Sequence, residues 1–218
     1  MRIGIDAREL TGKPTGVGRY LAGLLTDWST GDEAQQHEFV LYSARPLEIP
    51  IDTRRFVPRL VSGSGGTWWE QVAVRAAARA DHLDVWFAPG YTAPLLLDVP
   101  IVVAVHDLSF FAHPEWFRIP EGIRRRFVCE RAVARAGAVV TISAFSRREL
   151  IDRLDVPPGK IHVIPPAIRQ PSATSHRPSA MAPKVLYVGS IFNRRHVPDL
   201  IRAFAPIARA RPDASLDI

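Results

Sequence analysis

The sequence predicts an α/β protein built on a doubly wound parallel sheet, and three observations carry that expectation. Short apolar runs of strand length alternate along the chain with amphipathic stretches of helical period. Residues 100–105 (PIVVAV) are almost wholly apolar, as a central parallel strand covered on both faces requires. Several runs end in glycine or polar residues, and in open parallel sheets ligands sit beyond such strand ends.

Residues 2–25 read as strand, glycine-bearing loop and helix. Ile3 and Ile5 mark the strand, while Gly12, Gly16 and Gly18 permit tight turns and close backbone approach. Tyr20, Leu21, Leu24, Leu25 and Trp28 then recur at helical spacing, so one helix face packs on a sheet. A helix starting near Gly16 or Gly18 aims unpaired N–H groups and its positive dipole end across the loop. Arg19 adds a fixed charge there, and such an end suits an anion. The same residues also suit a purely structural βα turn. The spacing is not the dinucleotide fingerprint, because Gly23 comes too late for G-x-G-x-x-G.

The next strand is expected at 38–43 (EFVLYS). It runs into Arg45 and Pro46, where a nicotinamide-binding unit carries an acidic residue for the ribose, which argues against a dehydrogenase. Residues 56–61 suit a short strand, 62–67 (SGSGGT) a flexible loop, and 68–79 (WWEQVAVRAAAR) a helix. Residues 84–88 (DVWFA) form a strand that opens into a loop holding Gly90, Tyr91 and Thr92. PIVVAV ends in His106, Asp107, Leu108 and Ser109, ahead of a long arginine-rich helix over 120–136. A buried strand follows at 138–142, then a helix capped by Ser143 or by Ser146, the latter with Glu149 as capping-box partner. A strand at 160–164 closes the series.

Residues 165–183 (PPAIRQPSATSHRPSAMAP) lack periodicity and read as a linker. A strand into glycine (184–190), a helix over 197–210 and a strand start at 215–218 repeat the opening theme. The helix carries Leu200, Ile201, Phe204 and Ile207 on one stripe. These few elements bury no core of their own, so the sequence is expected to stop early in a second Rossmann-like βαβ domain. The expected organisation is a domain over 1–166, a linker over 167–183, and the first βα unit of a second domain over 184–218.

Composition is that of a globular protein, 47% hydrophobic and 23% charged. Net charge is +6, and 25 of the 28 basic residues are arginine, suited to forked contacts with phosphate or carboxylate. Cys129 is the only cysteine, which excludes an intrachain disulfide and fits a reducing, cytoplasmic setting. The opening residues lack an apolar signal-peptide core, and no apolar run approaches a membrane span. The Arg124-Arg125-Arg126 cluster suits a peripheral contact with an anionic membrane face, or a solvated helix surface. A pI near 10.1 raises nucleic acid as a partner, but no recognition helix or stacking motif supports it.

Four loops meet the strand-end condition: 16–20, 90–92, 106–109 and 143–147. His106 is the leading candidate, since an imidazole directly after a buried strand can bond a ligand hydroxyl or change protonation near neutral pH. The alternative is a histidine that caps the strand by bonding to backbone. His106, Asp107 and His113 lack the spacing of a metal site, and no G-x-S-x-G elbow is present. Trp68, Trp69, Trp86 and Trp116 suit sugar stacking or, more simply, core and loop anchoring.

Taken together, IGIDAREL…TGVGRYLAGLL, WWEQVAV, DVWFAPGYTAPL, VVAVHDLSFFAHPEWF, AVVTISAFSRREL, KIHVIPPAI and KVLYVGSIFNRRHVPDLIRAF resemble, in order, the retaining glycosyltransferases of family 4. The resemblance implies a two-domain GT-B fold, with an acceptor-side N-terminal domain and a donor-side C-terminal one. It implies transfer of a mannose- or glucose-type hexose, with retention, from a nucleoside-diphosphate sugar to a saccharide or lipid-linked saccharide. It needs no further cofactor and no metal, and it serves polysaccharide or glycolipid synthesis in the cytoplasm or at the membrane's inner face.

By the same resemblance, Gly16, Val17, Gly18 and Arg19 lie by the donor phosphates, and His106 reaches the transferred sugar. Tyr91, Asp107, Ser143 and Ser146 border the acceptor cleft, and Gly189, Ser190, Arg194 and Arg195 contact the diphosphate. The family's G-T-x-E-P-R-K-N run is altered here, with Phe192, Asn193, Arg194, Arg195 and His196 at its last five places. Arg194 keeps the arginine and Arg195 replaces lysine. The family's E-x7-E region would lie beyond Ile218, so the 218-residue chain alone is expected to be inactive. The alternative function is a non-catalytic acceptor-binding domain that needs a partner chain to complete the site.

Overall fold

The structure is a computed structural model that describes residues 1–12, 15–47, 54–167, 182–189, 191 and 195–218. Contacts divide the chain into two compact units, Met1–Ala167 and Ile168–Ile218. All but a few residues of the expected linker lie outside the described residues, as do Ser190 and Arg194.

In the first unit the elements run β1 (Arg2–Asp6), α1 (Gly16–Thr30), β2 (Glu38–Ser43), β3 (Phe56–Leu60), α2 (Arg75–Ala80), β4 (Val85–Ala88) and β5 (Ile101–Ala104). A single-turn α3 (Ser109–Ala112), α4 (Ile119–Arg135), β6 (Ala138–Thr141), α5 (Ala144–Leu154) and β7 (Ile161–Val163) complete it. The seven strands form one sheet in the order β3-β2-β1-β4-β5-β6-β7. Every pairing is parallel, for example Ile3 beside Phe39 and Val85. The doubly wound α/β expectation therefore holds.

Strand side chains alternate between two cores, as the two-residue period of a strand dictates. Ile5, Phe39, Leu41 and Phe87 point to the layer holding Leu21 and Leu25 of α1. Val40, Tyr42, Trp86 and Val103 point to the opposite layer, with Ala78 of α2, Ala132 of α4 and Leu150 of α5. Gly4 makes room for that second layer, since a Cβ there would stand 2.8 Å from the Trp86 ring and 2.3 Å from Leu83. The central strand β5 is less completely covered than its composition suggests, because Val102 is only half-buried.

Two expectations are corrected. The helix expected over 68–79 opens with a π-helical turn, Trp69–Val74, before continuing as α2. The cap of α5 is Ser143, whose backbone is extended and whose side chain accepts from the Ser146 amide. Glu149 is no capping-box partner, because Arg153 engages it one turn on at 2.7 Å.

The second unit contains β8 (Lys184–Leu186), α6 (Val197–Ala210) and β9 (Ser215–Asp217), with β8 and β9 paired in parallel. Val197 is buried, whereas Val185, Leu186, Ile201 and Ile207 stay exposed.

Candidate active site

The direction of chain winding reverses between β1 and β4. From β1 the chain steps outward through α1 to β2, and from β4 it steps the other way to β5, β6 and β7. A crevice opens at such a reversal, beyond the carboxyl ends of the strands. Contacts across those ends gather the candidate loops.

The first turn of α1 is seated on the 3-10 turn Arg8–Leu10 that leaves β1. Thr15 caps the helix: its hydroxyl accepts from the Gly18 amide at 3.1 Å and donates to Glu9 Oε2 at 2.8 Å. Gly18 is buried so tightly that a Cβ would stand 2.3 Å from the Glu9 carbonyl oxygen. Gly16 and Arg19 are exposed, Val17 is half-buried, and the first turn carries no acidic residue. The positive end of the α1 dipole is thus exposed at Gly16, with the Glu9 carboxylate beside it at the Thr15 cap.

His106 follows β5, and its half-buried ring bridges two neighbouring elements. Nε2 lies 2.8 Å from the Pro89 carbonyl at the end of β4. A carbonyl only accepts, so Nε2 carries the proton and Nδ1 is the nitrogen left for another group. The ring meets Tyr20 of α1 edge-on, with centroids 4.7 Å apart. The histidine therefore does bond to backbone, and that bond orients it between α1 and β4.

The serine loop after β6 joins from the far side. Ser143 and Ser146 hydroxyls stand 3.1 Å apart, and the buried Ser146 hydroxyl donates to the His106 carbonyl at 2.9 Å. Thr141 likewise donates to the Val105 carbonyl at 2.8 Å, so β5 and β6 end in register. Asp107 is exposed, and its carboxylate accepts from the Ser109 amide at 2.9 Å. Tyr91 packs its ring 5.0 Å from that of Phe110, with the Arg125 guanidinium 5.8 Å above it. Burial raises the Tyr91 phenol pKa, and Arg125 works against that shift.

Beneath these loops lies a charged cluster that sequence reasoning missed. Arg8 grips Asp6 through Nε, at 3.0 and 2.8 Å from its two oxygens, and reaches Glu70 with Nη2. Its remaining arm donates to the Gly65 carbonyl at 3.2 Å. Glu70 is 1% exposed and also accepts from the Thr92 hydroxyl at 2.8 Å. Gln71 donates to the Ala93 carbonyl at 2.8 Å and accepts from the Leu95 amide at 2.9 Å. Trp69 donates its indole N–H to the Val61 carbonyl at 2.9 Å. The wider π turn lets Trp69, Glu70 and Gln71, three consecutive residues, reach three different loops.

Burial acts to lower the Arg8 pKa, but Asp6 and Glu70 outweigh it and the guanidinium is held above its ordinary value. Burial raises the Glu70 carboxyl, with Arg8 opposing and Asp6 adding to the shift. The available signal was a lone glutamate inside an apolar helical run, beside the strand-end pair Asp6 and Arg8.

The arginine triplet is mostly turned to local partners. Arg124 donates to the Thr67 hydroxyl at 2.6 Å, Arg125 pairs with Glu121, and Arg126 donates to the Phe110 carbonyl at 3.1 Å. Gly189 and the exposed Arg195 belong to the second unit, and a Cβ at Gly189 would stand 2.9 Å from the Tyr187 hydroxyl. Among the described residues, no cluster of three or more His, Cys, Asp or Glu is placed to hold a metal ion. No helix there is long and apolar enough to cross a membrane.

A family model described as Glycosyltransferase Family 4 matches residues 15–169. No curated protein sequence matches. The solved structure of Anabaena HepE in complex with UDP-glucose is similar at 15% identity and a TM-score of 0.67, covering 100% of this chain and 61% of its own. The lipopolysaccharide outer core galactosyltransferase WaaB, in its apo form, is similar at 10% identity and a TM-score of 0.53, covering 99% and 67%. At these identities the likeness is one of fold. The chain spans about three fifths of the HepE structure.

Proposed function

Given that the chain belongs to glycosyltransferase family 4, we propose that it supplies the acceptor side and reacting edge of a hexosyltransferase. The donor is a nucleoside-diphosphate sugar carrying a mannose- or glucose-type hexose. The acceptor is a saccharide or lipid-linked saccharide hydroxyl, in the synthesis of a polysaccharide or glycolipid. The observation that supports this reading is the meeting of the α1 end, the Pro89 carbonyl and the Ser146 hydroxyl around His106 at the winding reversal.

In the reaction, the bond from the anomeric carbon to the diphosphate breaks. A bond forms from that carbon to the acceptor oxygen, whose proton is released, and the configuration is retained. Charge that develops on the diphosphate is met by backbone N–H groups at Gly16 and Val17 and by Arg19, while Gly18, its N–H held by the Thr15 cap, seats the turn. Gly189, Ser190, Arg194 and Arg195 would add to that charge balance, a role that rests on the family resemblance alone. His106 offers Nδ1 to a sugar hydroxyl, and Tyr91, Asp107, Ser143 and Ser146 line the acceptor side. No metal is required if these groups suffice.

The test uses the product of the intact gene with a panel of labelled nucleoside-diphosphate hexoses and lipid-linked saccharides. Incorporation that survives a chelator, with the donor's anomeric configuration in the product by NMR, is expected. An inverted product would overturn retention. Saccharide binding without transfer from any donor would favour an acceptor-binding module that needs a partner chain.

A further inference from the structure

The Arg8 cluster lies beneath the candidate loops with its polar groups committed to one another. The Glu70 carboxylate takes Arg8 and the Thr92 hydroxyl on Oε1, and the Gln71 amide on Oε2 at 3.1 Å. Arg8 spends Nε on Asp6, Nη2 on Asp6 and Glu70, and Nη1 on the Gly65 carbonyl. Its guanidinium carbon stands 5.3 Å from the centroid of the Trp69 ring. A pair of this sort adds little to folding compared with apolar packing of the same volume, because desolvation offsets the attraction. What a guanidinium fork between two carboxylates supplies is direction.

The contacts that leave the pair form a closed circuit. On one side, Thr92 and Gln71 tie the π turn to the loop after β4. The same loop begins at Pro89, whose carbonyl holds His106 Nε2 at 2.8 Å. On the other side, the Arg8 amide donates to Asp6 Oδ1 at 3.1 Å and opens the 3-10 turn in which Glu9 seats Gly18 and the Thr15 cap of α1. The circuit closes where Tyr20 of α1 meets the His106 ring edge-on. A ring of contacts closed through a forked ion pair has little slack, so a shift of Glu70 reaches both the Pro89 carbonyl and the end of α1.

We propose that Arg8 and Glu70 are positioning residues: through Thr92 and Pro89 they fix the tautomer and placement of the His106 ring, and through Glu9 they fix the α1 end opposite it. They act through those two groups rather than on a substrate. The inference rests on the reading of that edge as the transfer site, where misplacing a reacting group by about 1 Å costs on the order of a hundredfold in rate.

Thr92→Val removes the hydroxyl that links Glu70 to the loop and leaves every charge in place. NMR of the ring nitrogens in the histidine-labelled 218-residue chain, at a pH where the rings are neutral, reads the outcome without substrate. The parent should show His106 protonated at Nε2. Thr92→Val should show a mixture with the Nδ1–H form, as should Arg8→Lys, which keeps the charge but not the fork. In the product of the intact gene, Thr92→Val should lower kcat about tenfold or more with the donor KM within about twofold. Thr92→Ser, which keeps the hydroxyl, should retain the parent rate. Circular dichroism checks folding, and Thr92→Val carries the test should Arg8→Lys fail to fold. A merely structural link would lower the unfolding midpoint and leave the ring signals and kcat unmoved, a result that overturns the proposal. A parent that turns over no donor, with a ring that still responds to Thr92→Val, overturns the transfer reading instead and leaves the placement of His106 by this pair intact.

Discussion

Gly16 and Gly18 stand two residues apart in the first turn of α1, yet only Gly18 is sterically fixed. Gly18→Ala should cost about 1–3 kcal/mol in denaturant unfolding, because its Cβ would meet the Glu9 carbonyl. Gly16→Ala, where a Cβ meets nothing, should stay within about 0.5 kcal/mol. Cys129 offers a second test at this scale. Burial pushes its thiol up to about 12, so the folded protein holds the proton where an unfolded chain loses it. Stability should therefore decline as pH rises past the ordinary thiol value of 9.0 toward 12, and Cys129→Ala should flatten that decline. Near pH 9 a thiol reagent should label the protein only in denaturant. His106 was legible in the sequence because an imidazole after an apolar strand must lie at the sheet edge. Its tautomer was not, since Pro89, 17 residues earlier, supplies the acceptor. Trp68 and Trp69 are adjacent, one exposed and one buried, and no composition rule separates them.

Among elements, the strands were read almost to the residue, because alternation and apolar runs report directly on a sheet covered by helices. The π turn was invisible, for six residues are too few to distinguish its wider period from that of an α-helix. Its consequence is large. Glu70 and Gln71 fasten the loop after β4, whose Pro89 carbonyl holds His106. Glu70→Ala removes one of two carboxylates from a half-buried guanidinium that keeps Asp6, frees Thr92, and should cost about 1–3 kcal/mol by chemical denaturation. A change below about 0.5 kcal/mol would show the cluster to be incidental. The pairing of Arg8 with Glu70 spans 62 residues, and only the parallel order β1-β4 brings the two together. The choice between Ser143 and Ser146 as helix cap was likewise open in the sequence. Both have the chemistry, but only Ser143 has the extended backbone of a cap.

On the scale of the whole molecule, the two units differ in how they use their apolar residues. The seven-stranded first unit fills both of its layers, whereas the second leaves much of its apolar surface exposed. The reacting edge proposed above lies within the first unit, so its role can be tested by one side chain. The decisive measurement is turnover of the intact gene product and of its His106→Ala variant, with the same donor and acceptor. Loss of about a hundredfold or more in kcat, with unfolding unchanged, is expected if the imidazole holds the sugar in the transition state. Equal turnover in the two proteins would contradict the assignment of that edge as the site of transfer.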